Sequence, residues 1–162
     1  MDAIGIDIGG TKIAGAVVSE DGAILAEERV ATEAGNSAAI IDAVVAMVET
    51  LSQGRQIEAA GVAAPGFIDV DQSTVYYTPK ISWRNEPLRD HLRARLPLDI
   101  TIDNDANAAG WAEYRFGAGR TVSDMTMLTI GTGVGGAIVS RGSLFRGGFG
   151  AGAELGHLRI VP

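Results

Sequence analysis

Apolar and polar residues alternate at the start of the chain. Ile4, Ile6 and Ile8 fall on one face of a predicted strand over residues 3–8, with Gly5 and Asp7 on the other. After Gly9-Gly10-Thr11-Lys12 the alternation resumes over residues 13–18, and Glu20-Asp21-Gly22 leads into a third strand over residues 23–30. Connections this short predict three consecutive antiparallel strands. The period then lengthens to that of a helix. Ile40, Ile41, Val44, Val45, Val48 and Leu51 predict a helix over residues 37–52, with Ser37 as its N-cap. Residues 57–64 read as a buried strand that ends at Pro65-Gly66, and residues 71–83 as irregular. A short helix follows over residues 87–95, with Pro87 tolerated in its first turn. A strand over residues 98–102 and a helix over residues 106–116 complete this part.

Gly117-Ala118-Gly119-Arg120-Thr121 marks the expected boundary between a first lobe, residues 1–117, and the start of a second, residues 118–162. Beyond it the opening pattern returns: a strand over residues 125–130, the turn Gly131-Thr132-Gly133-Val134-Gly135-Gly136, then a strand over residues 137–140. This echo of the first hairpin predicts two related sheets in an α/β fold.

Composition narrows the function. Glycine is the outlier, at 22 of 162 residues, which predicts many tight turns. Thirteen basic against 20 acidic residues give a net charge of −7, which disfavours nucleic acid and anionic lipid as partners. No apolar run reaches the roughly 18–20 residues that span a bilayer. The N-terminus enters strand-like alternation without a basic, signal-type segment, and the chain holds no cysteine. A cytoplasmic location fits both.

The two glycine turns carry the first candidate chemistry. A turn without side chains lets backbone N–H groups approach a phosphate chain. Thr11 can add a hydroxyl and Lys12 a charge. Asp7 stands on the strand face away from the isoleucines. A carboxylate beside phosphate calls for a cation between them, which points to Mg²⁺ held directly or through water. An ordinary hairpin whose aspartate bonds the turn accounts for the same residues. The second turn matches G-x-G-x-x-G at Gly131, Gly133 and Gly136, but a strand follows where a dinucleotide-binding fold needs a helix.

Between the turns, Asp103-Asn104-Asp105-Ala106-Asn107 sits where a strand gives way to a helix. Any one of these residues is an ordinary N-cap. Four acids and amides within five positions exceed what capping requires. An aspartate held beside a sugar hydroxyl suits phosphoryl transfer to an alcohol, orienting the hydroxyl and accepting its proton. Glu154 and His157 would share one side of a helical turn, placed to bond vicinal hydroxyls. His91, on a surface helix, carries no functional signal.

Taken in order, Asp7-Ile-Gly-Gly-Thr-Lys12, Ala64-Pro-Gly66, Asn104-Asp-Ala-Asn107, Gly131-Thr-Gly-Val-Gly-Gly136 and Gly152-Ala-Glu-Leu-Gly-His157 resemble the ROK family of repressors, open reading frames and kinases. The resemblance implies an actin-like ATPase (ribonuclease H-like) sugar kinase fold, with a complete N-terminal lobe and the start of the second. It is strongest toward the bacterial glucokinases of that family, which use ATP and Mg²⁺ to phosphorylate glucose at its 6-hydroxyl. It implies Asp105 as catalytic base, and Gly66, Asn104, Asp105, Glu154 and His157 as hexose contacts. Asp7, Gly9, Gly10, Thr11 and Lys12 would form one phosphate site, and Thr132 and Gly133 part of another. The family also implies a homodimer or homotetramer.

Two departures qualify this. Family repressors carry a winged helix-turn-helix ahead of the first glycine turn; the chain opens at that turn, which disfavours DNA binding. In the family the histidine matching His157 joins three cysteines around a structural Zn²⁺, and this sequence supplies none. The expected protein is therefore the front part of a glucokinase. Alternatives are a non-catalytic sugar-binding remnant, a kinase for fructose, mannose or N-acetylmannosamine, or one that uses polyphosphate as donor.

Overall fold

The computed structural model describes residues 1–131 and 133–158. It parts into two compact units, Met1–Asn104 and Asp105–Pro162.

The first unit is built on a five-stranded sheet. In chain order its elements are β1 (Asp2–Ile8), β2 (Lys12–Val18), β3 (Ile24–Ala31), α1 (Ser37–Ser52), β4 (Ile57–Ala64), the short strands β5 (Phe67–Ile68), β6 (Val75–Tyr77) and β7 (Arg84–Glu86), α2 (Leu88–Arg93) and β8 (Asp99–Asn104). The sheet order is β3-β2-β1-β4-β8. The first three strands are antiparallel neighbours, as the short turns predict, while β4 and β8 run parallel to β1. Ile4, Ile6, Ile8, Ile13, Val17, Val62, Ile100 and Ile102 make one buried face, covered by Ile40, Val44, Val48 and their neighbours on α1 over β1 to β3 and by Leu88 and Leu92 of α2 beside β8. Gly15 lets that helix settle: a Cβ there would stand 2.5 Å from the sulfur of Met47.

The other face is paved with small residues. Ala14 pairs with Asp7, Asp7 with Ala63, and Ala63 with Asp103, so one row crosses four strands with two carboxylates in it. The next row holds Ala16, Gly5 and Gly61. Because β1, β4 and β8 are parallel, their carboxyl ends lie along one edge of the sheet, where ligands bind in sheets of this kind.

Three local expectations change. The N-cap of α1 is Asn36, whose side-chain oxygen accepts the Ala39 N–H at 3.1 Å. Ser37 is drawn away: its hydroxyl accepts the Trp83 indole N–H and donates to Glu86. Residues 71–83, read as irregular, contain β6, which pairs with β5 and β7. The last strand runs on to Asn104, because parallel pairing with β4 continues to Ala64 opposite Asn104.

The second unit comprises α3 (Asp105–Phe116), β9 (Met125–Ile130), β10 (Val134–Ser140), β11 (Ser143–Leu144) and a 3₁₀ turn, Leu155–His157. The three strands form an antiparallel sheet in the order β11-β10-β9. The division between units comes at Asn104 and Asp105, earlier than the glycine-rich stretch after residue 117, because α3 packs on β10. Gly110 permits that approach: a Cβ there would be 2.3 Å from the Cβ of Ala137. Among the described residues no helix is long and apolar enough to cross a membrane.

Candidate active site

The parallel strands of the first unit deliver three predicted segments to one edge. β1 ends in the turn Gly9-Gly10-Thr11, β4 in Pro65-Gly66, and β8 in Asn104. Gly66 and Asn104, both predicted sugar contacts, meet directly: Asn104 Nδ2 donates to the Gly66 carbonyl at 3.0 Å. Gly66 adopts φ +102°, a conformation that side chains resist, and a Cβ there would lie 2.1 Å from the Tyr77 carbonyl oxygen. Asn104 is steadied from behind. Gln72 Nε2 donates to Asp103 Oδ2 at 3.1 Å, and Asp103 Oδ1 accepts the Asn104 N–H at 2.9 Å.

The loop that carries Gln72 is pinned by a buried acid. Burial alone would push the Asp69 carboxyl upward. The Ser73 hydroxyl and the N–H groups of Ser73 and Thr74 outweigh it and hold Asp69 below the usual carboxylate range. Nothing in the local sequence marks Asp69, because its partners Ser73 and Thr74 are brought to it by the turn between β5 and β6.

The first glycine turn is partly self-satisfied. The Gly9 N–H donates to the Lys12 carbonyl at 2.9 Å, and the Gly9 carbonyl accepts the Thr32 hydroxyl at 2.8 Å. Thr32 also donates its N–H to the Thr11 carbonyl. Gly9 thus shapes the hairpin, while the N–H groups of Gly10 and Thr11 have no acceptor among the described residues. Those two amides stand with exposed Thr11 and Lys12, donors of the kind that meet anions. Asp7 lies one pair inside the turn on the small-residue face.

In the second unit Asp105 begins α3, and its Oδ1 accepts the Ala106 N–H at 2.9 Å. Glu154 and His157 come together as predicted, with Nε2 3.9 Å from Oε2. Burial raises the Glu154 carboxyl above its ordinary value; His157 opposes this and Asp105 adds to it. The acid and the predicted base therefore sense each other within one unit.

The second glycine turn divides by purpose. Gly135 and Gly136 belong to β10 and are demanded by packing: added Cβ atoms would lie 2.6 Å from the Thr129 hydroxyl and 2.7 Å from the Ala153 carbonyl. Gly131 and Gly133 meet nothing within 4 Å, so no packing inside the protein requires glycine there. Thr132, the other predicted phosphate contact, lies outside the described residues.

Metal chemistry has uneven support. Asp7 offers one carboxylate, which suits Mg²⁺, an ion usually held by one or two carboxylates and substrate phosphates. Among the described residues no group of three or more His, Cys, Asp or Glu side chains is placed to hold a metal. His157 has Glu154 as a neighbour, with Nε2 3.9 Å from Oε2.

The chain is similar to known proteins over nearly its whole length. The glucokinase of Streptomyces coelicolor is 47% identical over 98% of this chain and 50% of its own length. A ROK family glucokinase from Streptomyces griseus, solved with glucose and AMPPNP, is 48% identical with a TM-score of 0.93, covering 100% of this chain and 52% of its own. The ROK hexokinase of Thermus thermophilus is 33% identical with a TM-score of 0.90, covering 100% of this chain and 54% of its own. The chain spans about half the length of the curated glucokinases it matches. Residues 3–162 match the profile of the ROK family, and the chain belongs to that family.

Proposed function

We propose that this chain carries the hexose- and phosphate-contacting half of a glucokinase-type phosphotransferase. Its reaction is transfer of the ATP γ-phosphoryl group to the 6-hydroxyl of glucose. The observation that carries the proposal is the hydrogen bond from Asn104 to Gly66 at the carboxyl edge of the parallel strands, with Asp105 next in the chain. The 47% identity to a glucokinase supports the choice of substrate.

In this reading Gly66, Asn104, Glu154 and His157 bind and orient the sugar. Asp105 takes the proton of the 6-hydroxyl as its oxygen bonds to the γ-phosphorus and the bond to the ADP oxygen breaks. Gly10 and Thr11 receive phosphate oxygens through their free N–H groups, Gly9 fixes the turn, and Lys12 adds charge. Thr132 and Gly133 serve a second phosphate position. Asp7 would hold Mg²⁺, which supplies neutralisation of the phosphate charge when bound. A cytoplasmic homo-oligomer without nucleic-acid or membrane partners is the matching setting, in keeping with the net charge of −7.

Calorimetry of the chain with glucose, beside an ADP-release assay, tests this. Glucose heat in the parent and its loss in Asn104→Ala support the reading, and Asp105→Ala should keep that heat. Where the ADP-release assay detects turnover, Asp105→Ala should lower it by about 10²–10⁴-fold. No glucose heat in the parent, or full turnover in Asp105→Ala, overturns it. A hexose panel containing fructose, mannose and N-acetylmannosamine decides the acceptor, and replacing ATP by polyphosphate decides the donor.

A further inference from the structure

The chain contains two lysines, and both stand at the first glycine turn. Lys12 closes it, and Lys80 arrives from the segment between β6 and β7. The other 11 of the 13 lysine and arginine side chains are arginine. Lys80 lies against Gly10 closely enough that a Cβ added to that glycine would be 3.3 Å from the Lys80 Cβ and 3.8 Å from its Cδ. The aliphatic stem therefore runs along the turn backbone.

Lys80 is held there by its own neighbours. Its N–H donates to the Thr78 hydroxyl at 3.2 Å, Thr78 is buried, and the Ser82 N–H donates to the Ala34 carbonyl. The same segment touches the sugar side of the unit, because the Tyr77 carbonyl and Thr78 pack on Gly66. Residues 77–80 thus run from the predicted hexose contact Gly66 to the predicted phosphate contact Gly10.

Neither lysine has an ion-pair partner among the described residues, although the chain carries 20 acids. Beside them the N–H groups of Gly10 and Thr11 also have no acceptor among the described residues. Two unneutralised ammonium groups and two free amides around one turn make a local positive site in an acidic protein. An ammonium is a compact charge suited to phosphate, and a stem already packed loses less freedom on binding.

We infer that Lys80 is a phosphate-binding residue, which with Lys12 brackets the first glycine turn and contacts the phosphate chain of the donor. The assignment rests on the phosphotransferase reading for its purpose, but its binding chemistry does not. The ligand is a linear polyphosphate, whether the tail of a nucleoside triphosphate or free inorganic polyphosphate.

The test is calorimetry of the chain with inorganic tripolyphosphate and, separately, with AMPPNP, each across a salt series. Lys80→Met keeps the stem against Gly10 and removes the charge. It should weaken both ligands by about tenfold and flatten the salt dependence, while Lys80→Arg keeps most of the affinity. Arg55→Met, at an exposed turn, should leave both ligands unchanged. No tripolyphosphate binding by the parent, Lys80→Met within twofold of the parent, or an equal loss in Arg55→Met overturns the inference. So does a loss confined to AMPPNP, which would place the contact away from the phosphates. The ratio of the two affinities in the parent tells which source is preferred. Glucose heat separates the two proposals. If glucose binds and Lys80→Met changes nothing, the lysine assignment fails alone. If tripolyphosphate binding depends on Lys80 and glucose never binds, the hexose reading fails and the anion site stands.

Discussion

Asn104 and Gly66 are tied by a hydrogen bond, 3.0 Å from side-chain amide to backbone carbonyl, across the ends of two neighbouring parallel strands. The bond uses one of the two amide hydrogens of Asn104. It also fixes the backbone of the residue that precedes Asp105. A substitution at Asn104 should therefore act on hexose binding first.

Asn104→Ala should weaken glucose at least tenfold, since the Gly66 carbonyl loses its donor and the sugar loses a partner. Asn104→Asp should be no better, because it sets an acceptor against a carbonyl oxygen. Titration calorimetry reads both. Equal affinity in Asn104→Asp and parent would mean that the amide hydrogen has no part in organising the site.

Gly66 and Gly131 make a contrasting pair. Gly66→Ala combines a positive φ with a Cβ 2.1 Å from the Tyr77 carbonyl oxygen, so it should destabilise the first unit by about 3 kcal/mol or more. Gly131→Ala places a methyl in open space and should melt with the parent. Any effect of the second substitution should show in nucleotide affinity alone. Thermal unfolding followed by circular dichroism separates the two.

Much of this frame is visible in the alternation of residues. Ile4, Ile6 and Ile8 announce both the strand and its buried face, and the turns at Gly9-Gly10 and Glu20-Asp21-Gly22 announce antiparallel neighbours. What stays hidden depends on partners distant in the chain. Asn36 and Ser37 are equally good caps by type, and Trp83 and Glu86 decide between them by occupying Ser37. Gly135 and Gly136 look like turn residues but serve β10, where close packing against Thr129 and Ala153 excludes a side chain. The candidate site follows the same rule. The glycine turn, Gly66 and Asn104 stand out as motifs, whereas Lys80 comes beside Gly10 and Gln72 beside Asp103 through loops whose paths no local pattern encodes.

The second unit offers a further consequence. β9 is an edge of its sheet among the described residues, and it exposes Leu128 and Ile130, the latter 84% exposed; Phe149 is 86% exposed. An unpaired strand with apolar side chains invites pairing between copies. The isolated chain should self-associate as its concentration rises, and Ile130→Lys should reduce that association without lowering the melting temperature. Sedimentation velocity at several concentrations would show it. A monomer at all concentrations in the parent would mean that this edge is not a site of association.

Two carboxylates should respond to pH in opposite senses. Asp69 is held below its ordinary value, so its ionised form favours the fold. That stability is present above the usual carboxylate range and is lost as pH falls through the depressed folded value. Glu154 is raised by burial, so its ionised form opposes the fold. Its penalty is absent at low pH, grows as pH rises from the ordinary value through the raised one, and is constant above. At neutral pH, Asp69→Asn should therefore lower the denaturation midpoint and Glu154→Gln should raise it. Below the ordinary carboxylate range the Glu154→Gln difference should vanish, while that of Asp69→Asn shrinks only as the parent itself becomes protonated. Urea unfolding at pH 7 and at pH 3.5 distinguishes the two curves. A Glu154→Gln protein less stable than the parent at pH 7 would show that the carboxylate contributes to the fold through His157 more than its burial costs.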